Sequence, residues 1–118
     1  MIAGGYGALV RACEGAEDDE RQGALDLKEW NPGPSDVVAG IATSGVTPYV
    51  HGALREARAS GSSTLFVCCN PGAAGAVTAD VVIAPLVGPE IVTGSTRMKA
   101  GTATKMVLNM IKTSAMIL

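Results

Sequence analysis

Two stretches of this sequence place hydroxyl side chains and glycine just ahead of a helix: Thr43-Ser44-Gly45-Val46-Thr47 and Gly94-Ser95-Thr96-Arg97-Met98-Lys99. That combination suits an anion. The first backbone N–H groups of a helix lack partners within the helix, and the helix dipole favours negative charge there. Ser44, Gly45 and Thr47 are the candidate contacts in the first loop, and Ser95, Thr96, Arg97 and Lys99 in the second, which adds two cations. Two such loops in one small domain point to a phosphorylated ligand. The competing readings are an ordinary helix-capping loop for the first and solvated surface charges for Arg97 and Lys99. Neither loop has the Gly-Lys-Ser/Thr of a P-loop, and Gly4-Gly5-Tyr6-Gly7 lacks dinucleotide spacing, so no NAD or ATP site is indicated.

A third stretch, Glu14-Gly15-Ala16-Glu17-Asp18-Asp19-Glu20, concentrates carboxylates. It reads as a solvated helix face, or as a face from which one carboxylate turns to act as a general acid or base. His51, the single histidine, reads as a helix-surface residue. With one histidine and no ligand spacing among Cys and carboxylates, no metal site is expected. Cys13, Cys68 and Cys69 form no disulfide framework and are expected as small buried hydrophobes in a reducing cytoplasm.

These residues need elements to position them. Asp36–Ala42, Thr64–Cys69 and Asp80–Ala84 are short apolar runs, as expected of strands buried on both faces of a parallel sheet. Between the first two, Thr47 to about Ser60 is a helix that Pro48 opens and Gly61 closes. Strand, helix and strand at this spacing predict a βαβ unit, hence an α/β fold. Ligands then bind at the carboxyl ends of the strands, where the Thr43–Thr47 loop falls. Upstream, Tyr6–Trp30 reads as two short helices broken at Gly15 and Gly23, with an apolar stripe at Leu9, Val10, Cys13 and Ala16. Downstream, a helix from about Arg97 to Leu118 is apolar almost all round. It must be buried in the domain, in a subunit interface or under further sequence, and association into a homodimer or larger assembly is expected.

The 118 residues suffice for one domain. A net charge of −2, with no basic run and only 3% aromatic residues, argues against nucleic acid and anionic membrane as partners. Apolar residues at 47% exclude intrinsic disorder. The greasiest stretch, 106–118, is broken by Asn109, Lys112, Thr113 and Ser114, and Met1-Ile2-Ala3-Gly4-Gly5 lacks the features of a signal peptide, so a cytoplasmic protein is expected.

Taken in order and spacing, Ile2-Ala3-Gly4-Gly5, Glu14-Gly15-Ala16-Glu17-Asp18, residues 40–50, Cys69-Asn70-Pro71 and Thr93-Gly94-Ser95-Thr96-Arg97-Met98-Lys99-Ala100-Gly101-Thr102-Ala103-Thr104-Lys105 resemble the sugar isomerase (SIS) phosphosugar-binding domains, specifically the N-acetylmuramic acid 6-phosphate etherase family. The resemblance implies a three-layer α-β-α sandwich on a parallel sheet, flavodoxin-like but without nucleotide, with residues 1–118 forming a single, partial domain. It implies a cofactor-free lyase of peptidoglycan recycling. Such an enzyme cleaves the D-lactyl ether of its phosphorylated amino sugar, giving N-acetylglucosamine 6-phosphate and D-lactate. Two glutamates share the acid and base roles in that family, and the Glu-Gly-Ala-Glu motif assigns one of them to Glu17. The other glutamate, an upstream strand and a Gly-Thr-Ser-Gly-Arg loop have no counterpart in these residues, and Val46 stands where the family usually carries Arg. The alternative is a non-catalytic phosphosugar-binding module resembling the glucokinase regulatory protein, or an inactive fragment.

Overall fold

A computed structural model describes residues 1–117. The three apolar runs form one parallel sheet, with β1 at Val37–Ile41, β2 at Ser63–Val67 and β3 at Val81–Ile83. β2 lies between its neighbours, with Val37 opposite Ser63, Ile41 opposite Val67, and Val67 opposite Ile83. Three helices accompany it: α1 at Glu20–Glu29, α2 at Pro48–Ala59 and α3 at Lys99–Ile117. Leu118, where α3 was expected to end, lies outside the described residues.

Alternation along β2 assigns the layers, because successive side chains of a strand point to opposite faces. Phe66 and Cys68 pack with Ala42 and with Leu54 of α2. On the same side, Leu27 of α1 meets Ala53 and Ala57 of α2. The intervening Leu65 and Val67 pack instead against Val107 of α3, with Ile83 and Ile111 beside them. α1 and α2 thus cover one face and α3 the other, giving the expected three α-β-α layers. Phe66 and Leu54, 0% and 1% exposed, each contribute about 1.5–3 kcal/mol by leaving water.

The helix boundaries follow local chemistry. Asp19 caps α1, its carboxylate accepting from the Gln22 N–H at 2.8 Å. Pro48 sits in the first turn of α2, where its missing N–H costs nothing. Gly61 takes φ +84° just past the end of α2 and donates its N–H to the Arg58 carbonyl at 3.0 Å. The Pro48 start and the Gly61 end of α2 agree with the sequence expectation, and the Asp19 cap adds to it.

Three expectations are corrected. The stripe Leu9, Val10 and Cys13 faces no core: Leu9 and Val10 are 63% and 72% exposed, and Cys13 is exposed. The region holds only the 3₁₀ turns Gly5–Leu9 and Ala16–Asp18 ahead of α1. Gly23 does not break α1 but lies buried inside it. Of the cysteines only Cys68 is fully buried, while Cys69 is half-buried. On α3, Ala100 and Val107 are buried, but Met106, Met110, Met116 and Ile117 stay largely exposed in the single chain. No described helix is long and apolar enough to cross a membrane.

Candidate functional site

The chain leaves β1 at Ile41 and turns sharply at its carboxyl end. Gly45 makes the turn: its N–H donates to the Ala42 carbonyl at 2.8 Å, and its φ of +84° is one that only glycine adopts freely. A Cβ there would also stand 2.6 Å from the Ala73 Cβ, so Gly45 satisfies both a turn and a close approach. The loop is anchored to neighbouring elements. Asn70 donates its side-chain amide to the Ser44 carbonyl at 3.2 Å, and the Cys69 N–H donates to the Thr43 carbonyl at 2.9 Å. The ring of His51 reaches the Gly45 carbonyl through Nε2 at 3.0 Å. His51 is therefore half-buried and engaged rather than a free surface residue.

A cleft of about 450 Å³ opens beside this loop, within the size range of small-molecule sites. Glu17, Ser44, Thr47 and Thr96 line it together, with Tyr49 and the Met1–Ala3 segment as walls. Glu17 and Thr96, 79 positions apart in the chain, therefore converge on one cavity. Thr47 occupies the N-cap position of α2, yet its side chain makes no capping hydrogen bond. The ordinary reading of this loop required that bond. Ser44 Oγ accepts from the Val46 N–H, but at 3.3 Å the contact is long.

Glu17 reaches the cleft because the acidic run is split by backbone geometry. Gly15 at φ +74° opens the 3₁₀ turn Ala16–Asp18, which presents Glu17 to the cavity. Two other carboxylates of the run have partners of their own: Asp19 caps α1, and Glu20 pairs with Arg55 of α2. Tyr49 is 4% exposed and donates to the Asp26 carboxylate at 2.6 Å, with a longer contact to the Ile2 carbonyl at 3.4 Å. Burial first, and then the Asp26 carboxylate, push the Tyr49 phenol far above its ordinary value, so it is a neutral wall at working pH.

The second loop contributes less than its composition promised. Only Thr96 of its four candidates lines the cleft. The α3 N-terminus already holds an anion: the Glu90 carboxylate accepts from the Lys99 and Ala100 N–H groups, each at 3.1 Å. Those N–H groups hold the Glu90 carboxyl below the usual carboxylate range, that of Ala100 most. Lys99 Nζ is turned to the Pro89 carbonyl at 2.9 Å. Ser95 Oγ accepts from the Arg97 N–H at 3.4 Å, and Arg97 is exposed. Ser95, Arg97 and Lys99 thus lie beside the cavity rather than in it, and Gly45 shapes the loop from within.

Sequence reasoning missed Glu90, Asn70 and the role of His51. No spacing rule joins Glu90 to a helix that starts nine residues later. Asn70 lay inside the Cys69-Asn70-Pro71 motif but had no chemical reason to be singled out until the fold brought it to Ser44. A second groove, lined by Trp30, Leu27 and the open edge of β1, is mostly apolar, with Asp36 and the neutral Tyr49 phenol among its lining residues.

Comparison with known proteins bears on the same segments. The family model described as "Glucokinase regulatory protein N-terminal SIS domain" matches residues 1–58, which include Glu17 and the Thr43–Thr47 loop. An N-acetylmuramic acid 6-phosphate etherase of Mesorhizobium japonicum is 56% identical over 117 residues, 99% of this chain and 38% of that protein. Etherases of Salmonella schwarzengrund and Salmonella agona are likewise 56% identical over 117 residues, 99% of this chain and 39% of each relative. The chain therefore spans well under half the length of the curated relatives it matches. With a parallel α/β sheet, a SIS-domain match over its first half and this identity along nearly its full length, the chain belongs to the SIS-domain family, where it is similar to the N-acetylmuramic acid 6-phosphate etherases.

Proposed function

We propose that residues 1–118 are part of one phosphosugar-binding domain of an N-acetylmuramic acid 6-phosphate etherase acting in peptidoglycan recycling. The observation that carries the reading is the single cleft shared by Glu17, Ser44, Thr47 and Thr96. Ser44 and Thr47 offer hydroxyls for the phosphate and sugar oxygens. Gly45 keeps their loop in shape, while Ser95, Thr96, Arg97 and Lys99 form the rim on the α3 side. In the open-chain aldehyde, one glutamate removes the proton at carbon 2. The electron pair forms the carbon 2–carbon 3 double bond as the lactyl oxygen leaves carbon 3 and takes up a proton. Water then adds across the double bond. Glu17 holds one of these two acid–base roles, and the other glutamate lies outside this chain. Elimination followed by hydration is redox-neutral, so the chemistry calls for no redox cofactor.

The protein works in the cytoplasm on a phosphorylated amino sugar, and we propose a homodimer. The exposed Met106, Met110 and Met116 on α3 support self-association. Light scattering should give a mass of at least two chains, and a single-chain mass would overturn the dimer. The second reading, a non-catalytic regulatory module, is supported by the match of residues 1–58 to a regulatory protein's SIS domain. A nuclear magnetic resonance titration with N-acetylglucosamine 6-phosphate tests the site common to both. Shifts should centre on residues 43–47, and Ser44→Ala should weaken binding. Charge-assisted bonds of this kind are worth roughly 1.5–3 kcal/mol each, so half a site should bind in about the millimolar range. Unchanged binding in Ser44→Ala would remove the loop assignment.

A further inference from the structure

We propose that His51 and Asn70 are positioning residues that fix the phosphosugar loop from outside the cleft. This rests on reading Thr43–Thr47 as that loop. The two side chains engage consecutive carbonyls: Asn70 Nδ2 donates to Ser44 O at 3.2 Å, and His51 Nε2 lies 3.0 Å from Gly45 O. Neither residue lines the cavity that holds Glu17, Ser44, Thr47 and Thr96. His51 lines a separate cleft with Arg55, Arg58 and Thr78. Neither therefore needs to touch a ligand to act.

Each side chain is itself held. The His51 ring stands edge-on to Phe66, with centroids 6.2 Å apart and planes at 83°. Phe66 is 0% exposed on β2, the middle strand of the sheet, so the sheet core sets the ring plane. A carbonyl oxygen accepts only, so Nε2 must carry the proton, which fixes the ring's tautomer whenever it is neutral. Asn70 closes its own turn through Oδ1, which accepts from the Gly72 N–H at 3.2 Å, and this leaves Nδ2 aimed at Ser44. The carbonyls so engaged flank the Gly45 N–H, which donates to Ala42 at 2.8 Å. Pinning both carbonyls fixes the peptide planes of the loop, and with them the direction of the Ser44 hydroxyl and of the loop N–H groups. A site preorganised in this way spends less binding energy on ordering itself.

The test uses the 118-residue chain in three measurements. Ring ¹⁵N shifts should show His51 in the Nε2–H form, and the Nδ1–H form would overturn the proposal. In a titration with N-acetylglucosamine 6-phosphate, His51→Ala and Asn70→Ala should each weaken binding roughly fivefold, the worth of about one hydrogen bond. His51→Gln, whose amide can still donate to Gly45 O, should bind within about twofold of the unmodified chain. The double alanine variant should lose less than the product of the single losses, because both residues act on one loop. Full affinity in His51→Ala and Asn70→Ala, or no rescue by His51→Gln, would overturn the proposal. The third measurement separates this proposal from the reading beneath it. If the unmodified chain fails to bind the sugar phosphate, the phosphosugar reading of the loop fails. Faster amide exchange at Gly45 in His51→Ala and Asn70→Ala, but not in His51→Gln, still supports the clamp, and unchanged exchange overturns it.

Discussion

Tyr49 of α2 donates its phenol to the Asp26 carboxylate of α1 at 2.6 Å, and the same hydroxyl lies 3.4 Å from the Ile2 carbonyl. One buried group thus ties the first helix, the helix behind the candidate loop and the amino-terminal wall of the cleft. Tyr49→Phe keeps the ring and removes the bond. A bond to a charged partner contributes roughly 1.5–3 kcal/mol, so urea denaturation should show a loss of that size. The pH dependence has a definite sign. The folded phenol holds its proton to far higher pH than a free tyrosine, whose value is about 10. Above about pH 10 the unfolded chain releases this proton while the folded chain keeps it, so the contribution is complete below that pH and falls as pH rises. Tyr49→Phe should flatten this alkaline loss, and an identical alkaline limb in both proteins would refute the assignment.

α1 and α2 cross where both carry glycine. A Cβ on Gly23 would run into the Tyr49 carbonyl, and one on Gly52 into the Glu20 carbonyl. In an ordinary exposed helix, Gly→Ala gains about 1 kcal/mol. Here the obstacle is backbone, which cannot swing aside. Gly23→Ala and Gly52→Ala should each destabilise by about 1–3 kcal/mol, the usual cost of overpacking. Thermal melts decide this by sign alone, since a raised melting temperature would mean that the helices are free to part.

The same pair shows what the sequence makes legible. The βαβ core could be read because its signals are local: continuous apolar runs, Pro48 at a helix start and Gly61 at its end. Gly23 carries the propensity of a helix breaker, but its reason for being glycine is the Tyr49 carbonyl of a helix that starts 25 residues downstream, which propensity cannot register. Leu9, Val10 and Cys13 have helical spacing, yet the described chain gives them nothing to pack against, so the spacing has no consequence. At the site, Ser44, Thr47 and Thr96 stand out by residue type, whereas Glu17 stands out from its acidic neighbours only through the family resemblance. The second loop was overread because its hydroxyls and cations were visible in the sequence, whereas the Glu90 carboxylate that takes the N–H groups of α3 was not.

Asp80 should govern acid stability. Its carboxylate accepts from the Thr64 hydroxyl at 2.8 Å and the Thr64 N–H at 2.7 Å, and pairs with Arg58 at 2.7 Å. The Thr64 bonds, and then Arg58, hold this carboxyl below its ordinary value of 3.8. The contribution is therefore present above 3.8 and is lost as pH falls through the lower, folded value. Asp80→Asn should lower the melting temperature at neutral pH, and the gap from the unmodified chain should close in strong acid. A gap that stays constant with pH would show that the loss comes from shape rather than charge.

Val46 is 59% exposed within the candidate loop, at the position where the resemblance leads one to expect Arg. Val46→Arg should strengthen binding of N-acetylglucosamine 6-phosphate, because a guanidinium pairs with phosphate through two parallel N–H bonds. Solvent screening trims the gain to about 1 kcal/mol, or roughly fivefold in affinity. The gain should shrink at high salt, as a charge effect must. A salt-independent gain would point to packing by the arginine stem.

The decisive residue is Glu17. Its carboxylate shares the cleft with Ser44 and Thr47, whereas Asp19 and Glu20 of the same run are committed to a helix cap and an ion pair. The test needs the remainder of the active site, which the etherase of Mesorhizobium japonicum can supply around the segment it shares with this chain. Residues 1–118 placed in that framework should turn over N-acetylmuramic acid 6-phosphate. Glu17→Gln keeps the size and hydrogen-bonding capacity of the side chain and removes its titratable proton. Positioned proton transfer is worth about 10²–10⁴-fold, so kcat should fall by that factor while phosphosugar affinity stays nearly unchanged. Loss of affinity with kcat unchanged would make Glu17 a binding group instead. Glu14→Gln is the control, since Glu14 lies in the same acidic run and does not line the cleft. Its kcat should match that of the unmodified graft, and equal activity in Glu17→Gln would return the whole run to a solvated surface.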